Sequence, residues 1–161
     1  MENDIIFEEL KTEEINQYSN MITIVFDEFV GKDYSKEGND TFKDYIEPIN
    51  ILERYKNGLS KFFIAKCNYE IIGVLETRNY DHISLFFVKK EFHGQGIGKK
   101  LFQIFMETIK NNNDIKTISV NSSIYAEIIY SKLGFIKLDE IQEKCGMKYI
   151  PMEYRLARHI D

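Results

Sequence analysis

The chain has 161 residues, 43% of them hydrophobic, and its 26 acidic against 21 basic side chains give a net charge of −5; this fits one domain over residues 1–161 and disfavours nucleic acid as a partner, while remaining compatible with a cationic one such as an amine. No apolar run approaches the ~20 residues needed to span a bilayer, and Met1-Glu2-Asn3-Asp4 is too polar for a signal peptide; no membrane partner is expected, and the expected location is cytoplasmic. Cys67 and Cys145 have no metal-ligand spacing, so both read as free thiols and no metal is expected.

Ile5 to Leu10 reads as a first strand. Thr12 is the expected N-cap of a helix in which Ile15, Tyr18, Met21, Ile22, Val25, Phe26 and Phe29 recur at helical spacing, ending near Gly31. Lys32 to Asp40 is polar and contains Gly38, and is expected to be a loop. Thr41 to Lys56 is helical but interrupted by Pro48, which predicts a kink or two shorter helices that wall one side of a site. Lys61–Cys67, Ile71–Arg78 and His82–Val88 are strands joined by tight turns, hence antiparallel hairpins. The third has apolar residues on both faces and should be central.

A glycine-rich turn follows: His93-Gly94-Gln95-Gly96-Ile97-Gly98-Lys99. It opens a helix with Ile97, Leu101, Ile104, Phe105 and Ile109 on one face. Glycines leave backbone N–H groups uncovered, and at a helix N-terminus those donors are unpaired and the dipole is positive. The stretch is a candidate cradle for a phosphate or pyrophosphate, with Lys89, Lys90, Lys99 and Lys100 adding charge. A dinucleotide fingerprint fails because Lys99 stands where its third glycine belongs. A Walker A loop fails at His93 and Lys100. After the helix, Lys116 to Val120 is a strand, and Asn121-Ser122-Ser123 precedes a helix that Gly134 stops. Phe135–Leu138 and Lys148–Leu156 close the chain as strands, with Glu140 to Gly146 between them. The fold class is α/β (α+β), a mixed and mostly antiparallel sheet of about six to seven strands with helices on both faces.

The glycine turn resembles the acyl-CoA loop of the GNAT superfamily of N-acetyltransferases, Gln/Arg-x-x-Gly-x-Gly/Ala, with His93 in place of the usual first residue. Ala126, Tyr130, Gly134 and Phe135 match that family's A-x-x-x-Y-x-x-x-G-F spacing downstream, and the element order agrees over nearly the whole chain. The resemblance implies a GNAT fold and an acetyltransferase that moves an acetyl group from acetyl-CoA, its co-substrate, directly to a primary amine of a small molecule or peptide. A non-catalytic acyl-CoA-binding or sensor module is the alternative, and a longer acyl donor or a hydroxyl acceptor stays open within the enzymes. A homodimer is common in the family.

By the same resemblance, the pyrophosphate lies on the backbone N–H groups of Gln95, Gly96, Ile97, Gly98 and Lys99, in a coenzyme-binding turn that also takes in His93 and Gly94. The pantetheine arm follows a cleft where Leu85–Val88 splays from Thr117–Val120, with a polarising backbone amide near Phe86, Phe87 and Val88. Asn121 and Ser123, which can also cap the helix that follows, contact the coenzyme, and Tyr130 protonates or hydrogen-bonds the departing thiolate. Glu76, a carboxylate within an apolar strand, is the expected base, because burial raises a carboxyl pKa towards neutrality. Its structural alternative is a glutamate at a sheet edge or paired with Arg78; His82 and a water chain are further routes for the proton. Asp33, Glu37, Asp40 and Asp44 form an acidic segment that is either a solvated loop or an attractor for a cationic acceptor.

Overall fold

The structure is a computed structural model and describes residues 4–157. Strand β1 (Ile5–Glu9) leads through a short 3-10 turn into α1 (Ile15–Phe29). Helices α2 (Lys36–Tyr45) and α3 (Pro48–Asn57) precede β2 (Ser60–Cys67), β3 (Glu70–Arg78) and β4 (His82–Val88). Then come α4 (Ile97–Ile109), β5 (Thr117–Ser122), α5 (Glu127–Leu133), β6 (Ile136–Lys137), β7 (Gln142–Lys144) and β8 (Met147–Arg155). The sheet order is β1-β2-β3-β4-β5-β8-β6, with β7 paired to β8 as a hairpin. Every pairing is antiparallel except β4 with β5.

The hairpin turns are built by Asn68 and Tyr69, and by Asn79 and Tyr80, all at positive φ. Two successive left-handed residues match the twist of the flanking strands. Because strand side chains alternate between faces, β3 feeds two cores at once. Leu75 joins Phe63, Leu101, Phe105 and Phe135 under α4 and α5. Val74 joins Ile22, Ile51, Ile64 and Leu85 under α1 and α3.

Four local expectations change. The 32–40 segment is not a loop: a 3-10 turn covers Gly31–Asp33, and α2 starts at Lys36, with the Ser35 hydroxyl accepting from the Gly38 amide at 3.1 Å. Of the two outcomes expected at Pro48 the structure takes the second, two shorter helices rather than a kink: Pro48 opens α3 in its first turn, where its missing N–H costs nothing. Thr12 is not the N-cap. That position falls to Lys11, whose amide donates to the Glu14 carboxylate at 3.0 Å. The segment before the last strand contains β7, giving eight strands rather than six or seven.

Candidate active site

The site exists because β4 leaves its parallel neighbour. Pairing of β4 with β5 is confined to His82 with Ser119 and Ile83 with Val120. Beyond these residues β4 stays bonded to β3 up to Val88, while β5 stays bonded to β8 up to Ser122. The divergence therefore begins at Ser84 and Asn121, one end of β5 further on than Thr117–Val120. Ser84 is itself a bulge: Glu76 faces Leu85 and Thr77 faces Ile83, leaving Ser84 without a cross-strand partner. A bulge bends its strand and increases the local twist, which turns β4 away from β5. The gap is part of a cavity of about 550 Å³.

Backbone polarity follows from the ladder. The Lys89 amide donates to the Ile72 carbonyl at 2.8 Å, on the β3 side. Alternation along the strand then turns the N–H groups of Phe86 and Val88 into the gap and that of Phe87 towards β3. The three expected residues thus divide their roles. Phe87 reaches the cavity with its side chain, on the α1 and α2 side, whereas Phe86 packs by Tyr130 with ring centroids 5.9 Å apart.

The glycine turn closes one end of the gap. Gly94 and Gly96 have φ of 78° and 77°, and Gly96 is the N-cap of α4 without any side-chain cap. The first α4 bond runs from the Lys100 amide to the Gly96 carbonyl at 3.0 Å, so the amides of Ile97, Gly98 and Lys99 have no intrahelical acceptor. A Cβ at Gly94 or Gly96 would meet only open space. Uncapped donors, a positive helix end and bare backbone fit a pyrophosphate. Gly98 lies within α4, where a Cβ would stand 3.4 Å from the Phe86 ring. Of the expected cations, Lys99 lines the cavity. Lys89 instead pairs with Glu70, and Lys90 with Glu28 at 3.2 Å, so their charge is spent locally. Gln95 is exposed and lies outside the cavity lining. His93 uses Nε2 to donate to the Val88 carbonyl at 2.7 Å, tying the turn to the end of β4.

Tyr130 stands on the opposite side of the gap, 5% exposed and lining the cavity. Burial pushes its phenol well up, so it keeps its proton throughout the physiological range. Among the described residues its hydroxyl has no hydrogen-bond partner in the protein. Asn121 and Ser123 also line the cavity. The Ser123 hydroxyl accepts from the Ala126 amide at 3.2 Å, so it caps a turn that precedes α5 rather than α5 itself.

Glu76 is fully buried, as expected, and burial raises its pKa, but it does not line the cavity. Its partner is Arg54 from α3, not Arg78: the guanidinium Nε donates to Oε2 at 2.8 Å. Arg54 holds the carboxyl down against burial, and the Tyr18 hydroxyl donates to Oε1 at 2.9 Å. The Ser84 hydroxyl, 3.4 Å from Oε2, is the link from this carboxylate to the cavity. His82 lies at the far end of β4, bonded to the Ser119 hydroxyl at 2.8 Å and outside the lining. Burial lowers its pKa to about 4, so it is neutral at pH 7.

Phe42, in the segment expected to wall one side of a site, does line the cavity, together with Tyr34 just before it. Phe29 and Tyr125 carry no signal in the sequence; they come from a helix end and a turn that only tertiary packing brings to β4. Phe29 stacks on Tyr125 at 4.6 Å and lies 5.5 Å from the His93 ring. Ser84 offered one cue, as a polar residue inside an apolar strand. Asp33, Glu37, Asp40 and Asp44 do not reach the cavity, and Asp40 pairs with Lys36 at 2.9 Å.

The same architecture recurs among solved structures. A GCN5-related N-acetyltransferase from Rhodopseudomonas palustris superposes with a TM-score of 0.78 at 16% identity, covering 97% of this chain and 99% of that one. PaiA N-acetyltransferase from Thermoplasma acidophilum, in complex with coenzyme A, gives 0.74 at 18% identity, covering 95% and 99%. A GNAT-family acetyltransferase from Staphylococcus aureus Mu50 gives 0.73 at 21% identity, covering 94% and 99%. No curated protein matches the sequence. The family model for the acetyltransferase (GNAT) domain matches residues 30–156. That span takes in both walls of the cleft, the glycine turn and the Tyr130 helix, and it places the chain in the GNAT acetyltransferase family, whose members are acyltransferases.

Proposed function

We propose that this protein transfers an acetyl group from acetyl-CoA directly to a primary amine. The observation that carries this reading is the splayed gap itself, with uncapped α4 amides at one end and the Tyr130 phenol facing it. The amides of Ile97, Gly98 and Lys99 bind the pyrophosphate, and Asn121 and Ser123 guide the arm along the gap. The N–H groups of Phe86 and Val88 are the donors available to the thioester oxygen, where negative charge develops on attack. The amine nitrogen attacks the carbonyl carbon, the carbon–sulfur bond breaks, and the leaving sulfur takes the Tyr130 proton. The proton lost by the amine passes to water in the cavity, or to Ser84 Oγ as the Ser84 hydroxyl proton moves to Glu76 Oε2, 3.4 Å away. Glu76 does not touch the amine; it receives the proton only through Ser84, with Arg54 holding the carboxylate in place.

The test is thiol release with acetyl-CoA and a panel of amines, on the wild type and on Tyr130→Phe. Loss of a general acid lowers kcat by roughly 10²-fold or more, while acetyl-CoA affinity stays within about twofold because the ring remains. Full turnover by Tyr130→Phe at saturating substrate would remove that role from the phenol.

A further inference from the structure

The cavity has a second wall, on the α1 and α2 side of β4, away from the glycine turn. It is made by Val25, Phe29, Tyr34, Phe42, Phe87 and Tyr125. Its aromatic groups are locked in place. Phe42 stacks on Phe26 at 4.0 Å and meets the Phe87 ring edge-on at 6.1 Å, while Phe29 and Tyr125 form the stacked pair. The polar groups on this side are the hydroxyls of Ser84, Tyr34 and Tyr125. Among the described residues no Asp or Glu lines the cavity, and its charged side chains, Lys99 and Lys132, are both cationic. Of the acids nearest in the sequence, Asp27 pairs with Lys43 at 2.9 Å and Glu28 with Lys90 at 3.2 Å, and neither they nor Asp33, beside Tyr34, line the cavity.

We infer that the acceptor is a monoamine carrying an aromatic or bulky apolar body, not a polyamine or an aminoglycoside; this rests on the acetyl-transfer reading above. An apolar wall rewards burial of an apolar body in proportion to its area. It penalises every extra ammonium that must be stripped of water without a carboxylate partner. Ring faces attract a cation, but that attraction recovers only a small share of the lost hydration. The same surroundings favour the neutral form of the single reacting amine, which is the nucleophilic form. The wall therefore selects the body of the acceptor and eases loss of its proton together. Ser84 is placed to accept a hydrogen bond from the amine at the floor of this wall.

The experiment compares kcat/KM for 2-phenylethylamine and a hydrophobic amino-acid amide with that for spermidine and kanamycin, using acetyl-CoA, alongside calorimetric titration of coenzyme A. The expected result is at least a tenfold preference for the apolar monoamines. Phe42→Leu should reduce that preference about tenfold while coenzyme A affinity stays within twofold, with a thermal melt confirming that the variant folds. Tight coenzyme binding with faster turnover of spermidine or kanamycin would overturn this acceptor class and leave acetyl transfer standing. Absence of coenzyme A binding would overturn both.

Discussion

Glu76 shows how far a single residue can be read. Its place inside an apolar strand predicts burial and a raised pKa, and both hold. What sequence spacing could not supply is Arg54, which arrives from α3 with 14% of its side chain exposed and also bonds the Tyr45 carbonyl at 2.7 Å. A buried carboxylate so engaged has little freedom to approach a substrate, so in the proposed reaction a proton reaches it only through Ser84. His82 behaves differently. Its folded pKa of about 4 lies below the ordinary value of 6.5, because burial penalises the imidazolium and Arg78 repels it. Between those values the unfolded chain binds a proton that the folded chain refuses. Stability from this residue is therefore present above pH 6.5 and lost as pH falls towards 4, by up to about 3 kcal/mol. Denaturant titrations across that window should show this limb in the wild type and a flatter one in His82→Gln. An identical acid limb in both proteins would assign it to other groups.

At the scale of elements, the parts best read from sequence are those defined by local chemistry: the hairpins at Asn68-Tyr69 and Asn79-Tyr80, the α4 stripe, and the helix stop at Gly134. The glycine turn was legible for the same reason, since its N–H groups and helix start are consecutive in the chain. Helix α2 is legible only in its second half, residues 41–45; its polar first turns, with Gly38, look like a loop until the tertiary contact is seen. Gly38 sits where a Cβ would come within 2.2 Å of the Gly146 carbonyl oxygen, and the Ser35 amide donates to that oxygen at 3.0 Å. The start of α2 is thus fastened to the β7–β8 turn, and the fastening holds Tyr34 and Phe42 in the cavity wall. Gly38→Ala should force the two backbones apart, costing about 1–3 kcal/mol as overpacking does, or a few degrees or more in melting temperature for a chain of this size. It should also raise KM for the amine more than for acetyl-CoA. Equal stability and unchanged KM values would show that the contact is slack.

For the whole molecule, one geometric event organises the chemistry. A sheet that were continuous from β1 to β6 would bury every amide of β4 between neighbours. The bulge at Ser84 ends the β4–β5 pairing after two residue pairs and frees the far half of β4 for a ligand. The two cores keep that opening rigid, one holding α4 and Tyr130 and the other holding α1 and Leu85. The cleft residues themselves come from across the family-matched span and beyond it, since Val25 and Phe29 precede residue 30. No described helix is long and apolar enough to cross a membrane. Among the described residues no Asp or Glu lines the cavity, so the acidic balance of −5 says little about the acceptor and the lining says more.

The most direct measurement of the central claim is the fate of the acetyl group. Acetyl-CoA labelled at the carbonyl carbon is incubated with the protein and an apolar primary amine, and the mixture is analysed by mass spectrometry together with the intact protein. Direct transfer predicts labelled amide and free coenzyme A in equal amounts, formed only when protein, acetyl-CoA and amine are all present, with no label retained on the chain. Tight coenzyme A binding without labelled amide from any amine tested would contradict the claim and leave a binding module in its place.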